Sequence, residues 1–133
     1  MDGEGNGPAE RPVHWVGSAR RAMARMPRHV QQVFGAALQE VQLGRMPSIA
    51  APLTGFSDAG VLELAEDYVR DTYRAIYTVR FAEAVYVLHV FKKKSKRGIA
   101  TPKPDMELVR RRLSDAEADH KRWVEETERR HGG

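Results

Sequence analysis

From Ala19 to Val41 apolar residues recur at the helical interval, from Val61 to Phe91 they alternate, and after Thr101 the helical interval returns. Ala19, Ala22, Met23 and Met26 follow Ser18 at i, i+3, i+4 and i+7, and Ser18 is a residue suited to cap a helix. Pro27 breaks that helix and can open another. Val30, Val33, Phe34, Ala37, Leu38 and Val41 then hold one face of a second helix, and Gly44 stands where a left-handed residue ends it. Ahead of both, the apolar stretch Val13–Gly17 is a candidate strand.

Pro47, Pro52, Gly55 and Gly60 mark Arg45–Gly60 as a connection. Leu62 and Leu64 alternate with Val61, Glu63 and Ala65, and Asp67–Asp71 reads as a polar turn region. Thr72–Phe81 is the clearest strand: Tyr73, Ala75, Tyr77, Val79 and Phe81 share one face, Thr72, Arg74, Ile76, Thr78 and Arg80 the other. Ala82-Glu83 makes a tight connection into Ala84–Phe91, whose phase stays open because both of its rows are apolar. A last helix starts with Thr101 as cap, Pro102 at its first position and Pro104 at its third. Its apolar stripe is Met106, Val109, Leu113, Ala116 and Trp123, with His120 filling the missing step, and the polar segment Glu125–Gly133 is expected to fray.

These elements predict the α+β class: an antiparallel sheet of three to four strands, two N-terminal helices and a C-terminal helix. Leu62, Leu64, Tyr73, Tyr77, Val79 and Phe81 are expected to pack on Ala22, Val30, Phe34, Ala37 and Leu38. The folded domain is placed at residues 13–124, between a flexible leader, 1–12, and a polar tail, 125–133.

Composition narrows the functional classes. A chain of 133 residues supports one domain, and 41% hydrophobic with 30% charged residues is the balance of a soluble globule. No apolar run approaches the roughly 18–20 residues of a membrane span, and Met1–Pro12 lacks the apolar segment of a secretory signal. Without cysteine there are no disulfides, thiolate metal sites or Cys nucleophile, which fits a cytoplasmic setting. The net charge is +4, and Lys92-Lys93-Lys94-Ser95-Lys96-Arg97 concentrates five cations in six residues, suited either to a polyanion or to a solvated loop.

Burying the tyrosine row sends Arg74 and Arg80 to the opposite face, read as open, and the next strand runs out into the lysine cluster. The pieces are expected to converge in a cleft for phosphate, which arginine grips in bidentate fashion and lysine attracts as a point charge. Arg74 can equally pair with Glu63 or Glu66, and an exposed Arg74 is expected to tolerate replacement by alanine without loss of the fold. His89 joins the open face if Phe91 and Lys93 do, and Glu107 is a possible base if the last helix lies beside the basic loop. The histidines show no chelating spacing, and no metal or cofactor is implied.

Tyr73-Arg74-Ala75-Ile76-Tyr77, the run Val85–Ser95 and Gly98-Ile99-Ala100-Thr101-Pro102 resemble, in that order, the RelE/HigB toxins of bacterial toxin–antitoxin systems, in particular their phage-derived branch. Leu53-Thr54-Gly55-Phe56 and Gly60-Val61-Leu62-Glu63-Leu64 match the same branch, so the resemblance covers roughly Val13–Ala118. It implies a RelE-like twisted antiparallel sheet flanked by helices and a cytoplasmic, ribosome-dependent mRNA endoribonuclease (an mRNA interferase) that needs no metal. It also implies a cognate antitoxin, usually of helix-turn-helix type. Arg74 matches the family's strand arginine, and Lys92, Lys93, Lys94 and Lys96 its basic strand end; Arg80, Arg97 and Lys103 are further RNA-binding candidates. Many members carry a tyrosine or histidine after the basic region as acid or base. Here only His120 and His131 follow, so His89, Glu107 or a lysine of lowered pKa is left to move protons. A non-catalytic RNA- or antitoxin-binding module and a ParE-like gyrase inhibitor are the alternatives that share this fold.

Overall fold

The computed structural model describes residues 10–56, 60–94 and 101–132. In chain order they form β1 (Val13–Trp15), α1 (Ala19–Ala24), α2 (Arg28–Gln42), β2 (Ala50–Pro52), β3 (Val61–Tyr68), β4 (Asp71–Thr78), β5 (Val85–Lys94) and α3 (Lys103–Gly132). The architecture is α+β. The strands lie in the order β1-β5-β4-β3-β2, and β1 runs parallel to β5 while the other pairs are antiparallel.

The sheet is therefore mixed and five-stranded among the described residues, wider than the three to four antiparallel strands expected. The two additions are edge strands of three residues each, too short to set up a readable alternation. Pro52 is tolerated in β2 because an edge strand can spare one N–H. Arg11 and Pro12, placed in the leader by the sequence reading, are bonded to the folded elements. The Arg11 guanidinium donates to the Val41 carbonyl at 2.9 Å, Gln42 donates to the Arg11 carbonyl at 2.7 Å, and the Pro12 carbonyl accepts from Val85 at 2.9 Å.

α2 ends as its sequence predicts. Gly44, at φ 85°, lets the Gly44 and Arg45 N–H groups turn back to the Val41 and Glu40 carbonyls. Its apolar stripe, Val30, Phe34, Ala37, Leu38 and Val41, packs with Ala19 of α1 on Leu62, Leu64, Tyr73, Ala75 and Tyr77. Val79 joins this core, but Phe81 does not. β4 stops at Thr78, and Phe81 turns to the other side of the sheet, where its ring stacks on His120 at 4.4 Å.

The face read as open carries a second core. Val61, Ile76, Tyr86 and Leu88 of the sheet meet Met106, Val109, Leu113 and Ala116 of α3. α3 begins at Lys103, with Pro102 as the flanking residue whose carbonyl accepts from Met106, so Pro104 is its second position and Thr101 lies outside. Far from fraying at Glu125, it continues to Gly132. Glu and Arg are good helix formers, Arg129, Arg130 and His131 oppose the C-terminal end of the dipole, and the Thr127 hydroxyl donates to the Trp123 carbonyl at 2.8 Å.

The open phase of β5 has a physical answer. Ile76 pairs with His89 but Tyr77 pairs with Val87, so Leu88 is an extra residue, a β-bulge. Before it, Val85 and Val87 face the core under α1 and α2 while Tyr86 faces α3; beyond it Val90 faces the α1–α2 core, and His89, Phe91 and Lys93 fall on the α3 side. Both rows are apolar because the strand changes phase between two cores.

Candidate active site

The bulge brings three β5 side chains onto the sheet face that carries Arg74. The register sets Arg74 opposite Phe91, Thr72 opposite Lys93 and Ile76 opposite His89, while Glu63 of β3 stands opposite Ile76. α3 covers Ile76, Tyr86 and Leu88 and meets this group with its first turn.

Arg74 Nη1 donates to Glu63 Oε2 at 2.5 Å, with both side chains about 15% exposed (15% and 14%). Its Nε is buried without a hydrogen-bond partner among the described residues, so the guanidinium is only partly satisfied. Lys93 is 7% exposed. Desolvation and then the Arg74 charge hold its ammonium below the ordinary lysine range, against an opposite pull from Glu63 and Asp105. His89 is stacked on Phe91, ring centroids 4.6 Å apart, and bonded through Nε2 to Asp105 Oδ1 at 2.7 Å. Burial lowers its pKa below the ordinary histidine value; Asp105 opposes that shift and Arg112 adds to it.

Arg112 also holds the backbone in place. One nitrogen donates to the carbonyl of the bulged Leu88 at 2.9 Å and another to the Ser18 hydroxyl at 2.8 Å. Ser18 does precede α1, as its sequence predicts, but its side chain serves this link instead of capping the helix.

The structure brings some of the expected site residues together and keeps others apart. Arg74, Lys93 and His89 come together, with Lys94 at the end of the same strand. Arg80 lies at the opposite end of the sheet face, paired with Glu117, because an antiparallel β5 leaves beside the start of β4 and not its end. Lys92 is exposed, 3.8 Å from Asp71, and Lys103 is exposed at the start of α3. Glu107 is exposed on the outer side of that helix, and the carboxylate that reaches the site is Asp105. Lys96 and Arg97 lie outside the described residues. Among those residues no group of three or more His, Cys, Asp or Glu is placed to hold a metal ion.

Asp105 and Arg112 escaped the sequence reading, although the signal was present. Asp105, Val109, Arg112 and Ala116 are spaced four, three and four apart, on the side of the helix that meets the sheet.

Residues 21–114, from within α1 through the site into the first half of α3, match the family described as phage-derived protein Gp49-like (DUF891). The chain belongs to that family. The Gp49-like match agrees with the phage-derived branch to which the order of motifs points. No curated protein matches the sequence. Among solved structures, the chain is similar to one in the toxin–antitoxin complex RelBE2 from Mycobacterium tuberculosis, at 23% identity. That likeness covers 65% of this chain and 95% of the other, with a TM-score of 0.40.

Proposed function

We propose that this Gp49-like protein is the toxin of a toxin–antitoxin pair and cleaves mRNA on the ribosome. The observation that carries the reading is the grouping of Arg74, Lys93 and His89, two cations and an imidazole, largely buried on one sheet face. Cleavage of RNA without a metal needs little more. The 2′-hydroxyl oxygen bonds to the adjacent phosphorus, the bond from phosphorus to the 5′ oxygen breaks, and both cations stabilise the charge growing on the phosphoryl oxygens. The products are a 2′,3′-cyclic phosphate and a 5′-hydroxyl end. In this reading the protein works in the cytoplasm, Lys92, Lys94, Lys96, Arg97 and Lys103 hold the flanking RNA backbone, and an antitoxin of helix-turn-helix type silences it.

The test is expression without the antitoxin. Growth arrest with new 5′ ends inside translated messages is the expected outcome, and Lys93→Met should reduce cutting about 10²- to 10³-fold. Full cutting by Lys93→Met, or arrest without new ends, would contradict the reading.

A second reading has its own support. Glu63 already occupies Arg74 and Asp105 already occupies His89, as in a module that binds RNA or antitoxin through its surface cations without cutting. Such a protein would bind a co-expressed antitoxin and leave message intact.

A further inference from the structure

His89 is held from two sides. Phe91 lies against its ring at an interplanar angle of 14°, and Asp105 takes Nε2 at 2.7 Å from the first turn of α3. A stacked ring with one nitrogen bonded has little rotational freedom left. The bulge at Leu88 puts the imidazole on this face, and Arg112 bonds the bulge carbonyl. We infer that Asp105 is the positioning residue of the cleavage reaction, holding the His89 Nε2–H so that Nδ1 offers its lone pair to the substrate's 2′-hydroxyl.

The inference rests on the endoribonuclease reading and gives it the missing base. A carboxylate on one imidazole nitrogen selects the tautomer with the proton there and stabilises the imidazolium formed when the other nitrogen takes a proton. In the step, the 2′-hydroxyl proton moves to Nδ1, the 2′ oxygen bonds to phosphorus, and the leaving 5′ oxygen takes a proton from the Lys93 ammonium. Solvent then returns a proton to Lys93 and removes one from His89, so the cycle closes without an added reactant. The other charged groups on this face are Arg112 from α3, Arg74 from β4, Lys93 from β5 and Glu63 from β3; Glu63 is bonded to Arg74, and Asp105 is the carboxylate that bonds the imidazole. Glu107 is exposed, and His120 lies past the middle of α3, bonded to Glu83 at 2.8 Å.

The sign of the pH effect follows. Burial already depresses His89 and Asp105 partly restores it, so Asp105→Asn lets it fall further and moves the acid limb of the rate profile to lower pH. The experiment is single-turnover cleavage of a ribosome-bound message between about pH 5.5 and 8, by wild type, Asp105→Asn, Asp105→Glu, His89→Gln and the double variant. Asp105→Asn should be slower by about 10²- to 10⁴-fold with its acid limb displaced downward, Asp105→Glu should recover much of the rate, and the double variant should be no slower than His89→Gln alone. Asp105→Asn that cuts as wild type does, or slows with the acid limb unmoved, overturns the positioning role and leaves the endoribonuclease reading standing. Wild type that cuts no message sinks that reading and the catalytic role together. If Asp105→Asn does not fold, ¹⁵N spectra of His89 in wild type decide: the Nε2–H tautomer is required, and Nδ1–H would refute the inference.

Discussion

Arg74 shows how far alternation along a strand carries. Its side of β4 was legible, because burying Tyr73, Ala75 and Tyr77 leaves it no other face. Its surroundings were not, since they depend on what covers that face. Glu63 was legible as a partner, being one strand away and of opposite charge. The consequence for mutation reverses the sequence-based expectation. Arg74→Ala strands a largely buried carboxylate, and breaking such a pair typically costs about 3–5 kcal/mol. Arg74→Gln combined with Glu63→Gln removes both charges and should recover most of that loss, as urea midpoints for the two variants would show. Equal loss in both would mean that the Glu63 charge is not what destabilises the single variant.

At the scale of elements, the long helices were readable and the β5 phase was not. A bulge between two apolar cores leaves no mark in composition, because either row of β5 looks suited to burial. The bulge instead depends on a distant side chain. Arg112→Met leaves the Leu88 carbonyl without its donor and should destabilise the protein by about 1–3 kcal/mol, with faster amide exchange centred on Leu88–Val90. The β3–β4 hairpin carries strain of a different kind. Its two loop residues, Val69 and Arg70, have φ of 45° and 69°, the left-handed region, and Val69 is 72% exposed. Hairpin turns with both central residues at positive φ favour Asn-Gly, and a β-branched residue is poorly suited there. Replacing Val69-Arg70 by Asn-Gly should raise stability by about 1–2 kcal/mol, read as a higher denaturant midpoint at unchanged slope.

For the whole molecule, the sheet face read as open is largely covered, because the stripe Met106, Val109, Leu113 and Ala116 also needs a surface to cover. With helices on both faces of the sheet, Arg74, Lys93 and His89 are largely buried near the start of α3. Burial between the layers also sets the alkaline behaviour. Tyr77 is pushed up to about 12 by burial, and Tyr86 is raised further by burial and by Asp119. An unfolded tyrosine gives up its proton near pH 10, so between there and about 12 the native state binds more protons and stability falls as pH rises. For Tyr77 alone the loss is on the order of 2–3 kcal/mol by pH 12, at about 1.4 kcal/mol per unit, and Tyr77→Phe should flatten the decline in denaturation free energy. Internal transesterification of RNA by Arg74, Lys93 and His89 is the proposed chemistry. It is tested most directly by purifying the protein, adding it to a translating ribosome with a defined message, and analysing both ends of each fragment. The expected products are 2′,3′-cyclic phosphate and 5′-hydroxyl ends, formed by wild type and lost together in Lys93→Met and His89→Gln. Intact message with wild type, or ends bearing a 5′-phosphate, would contradict it.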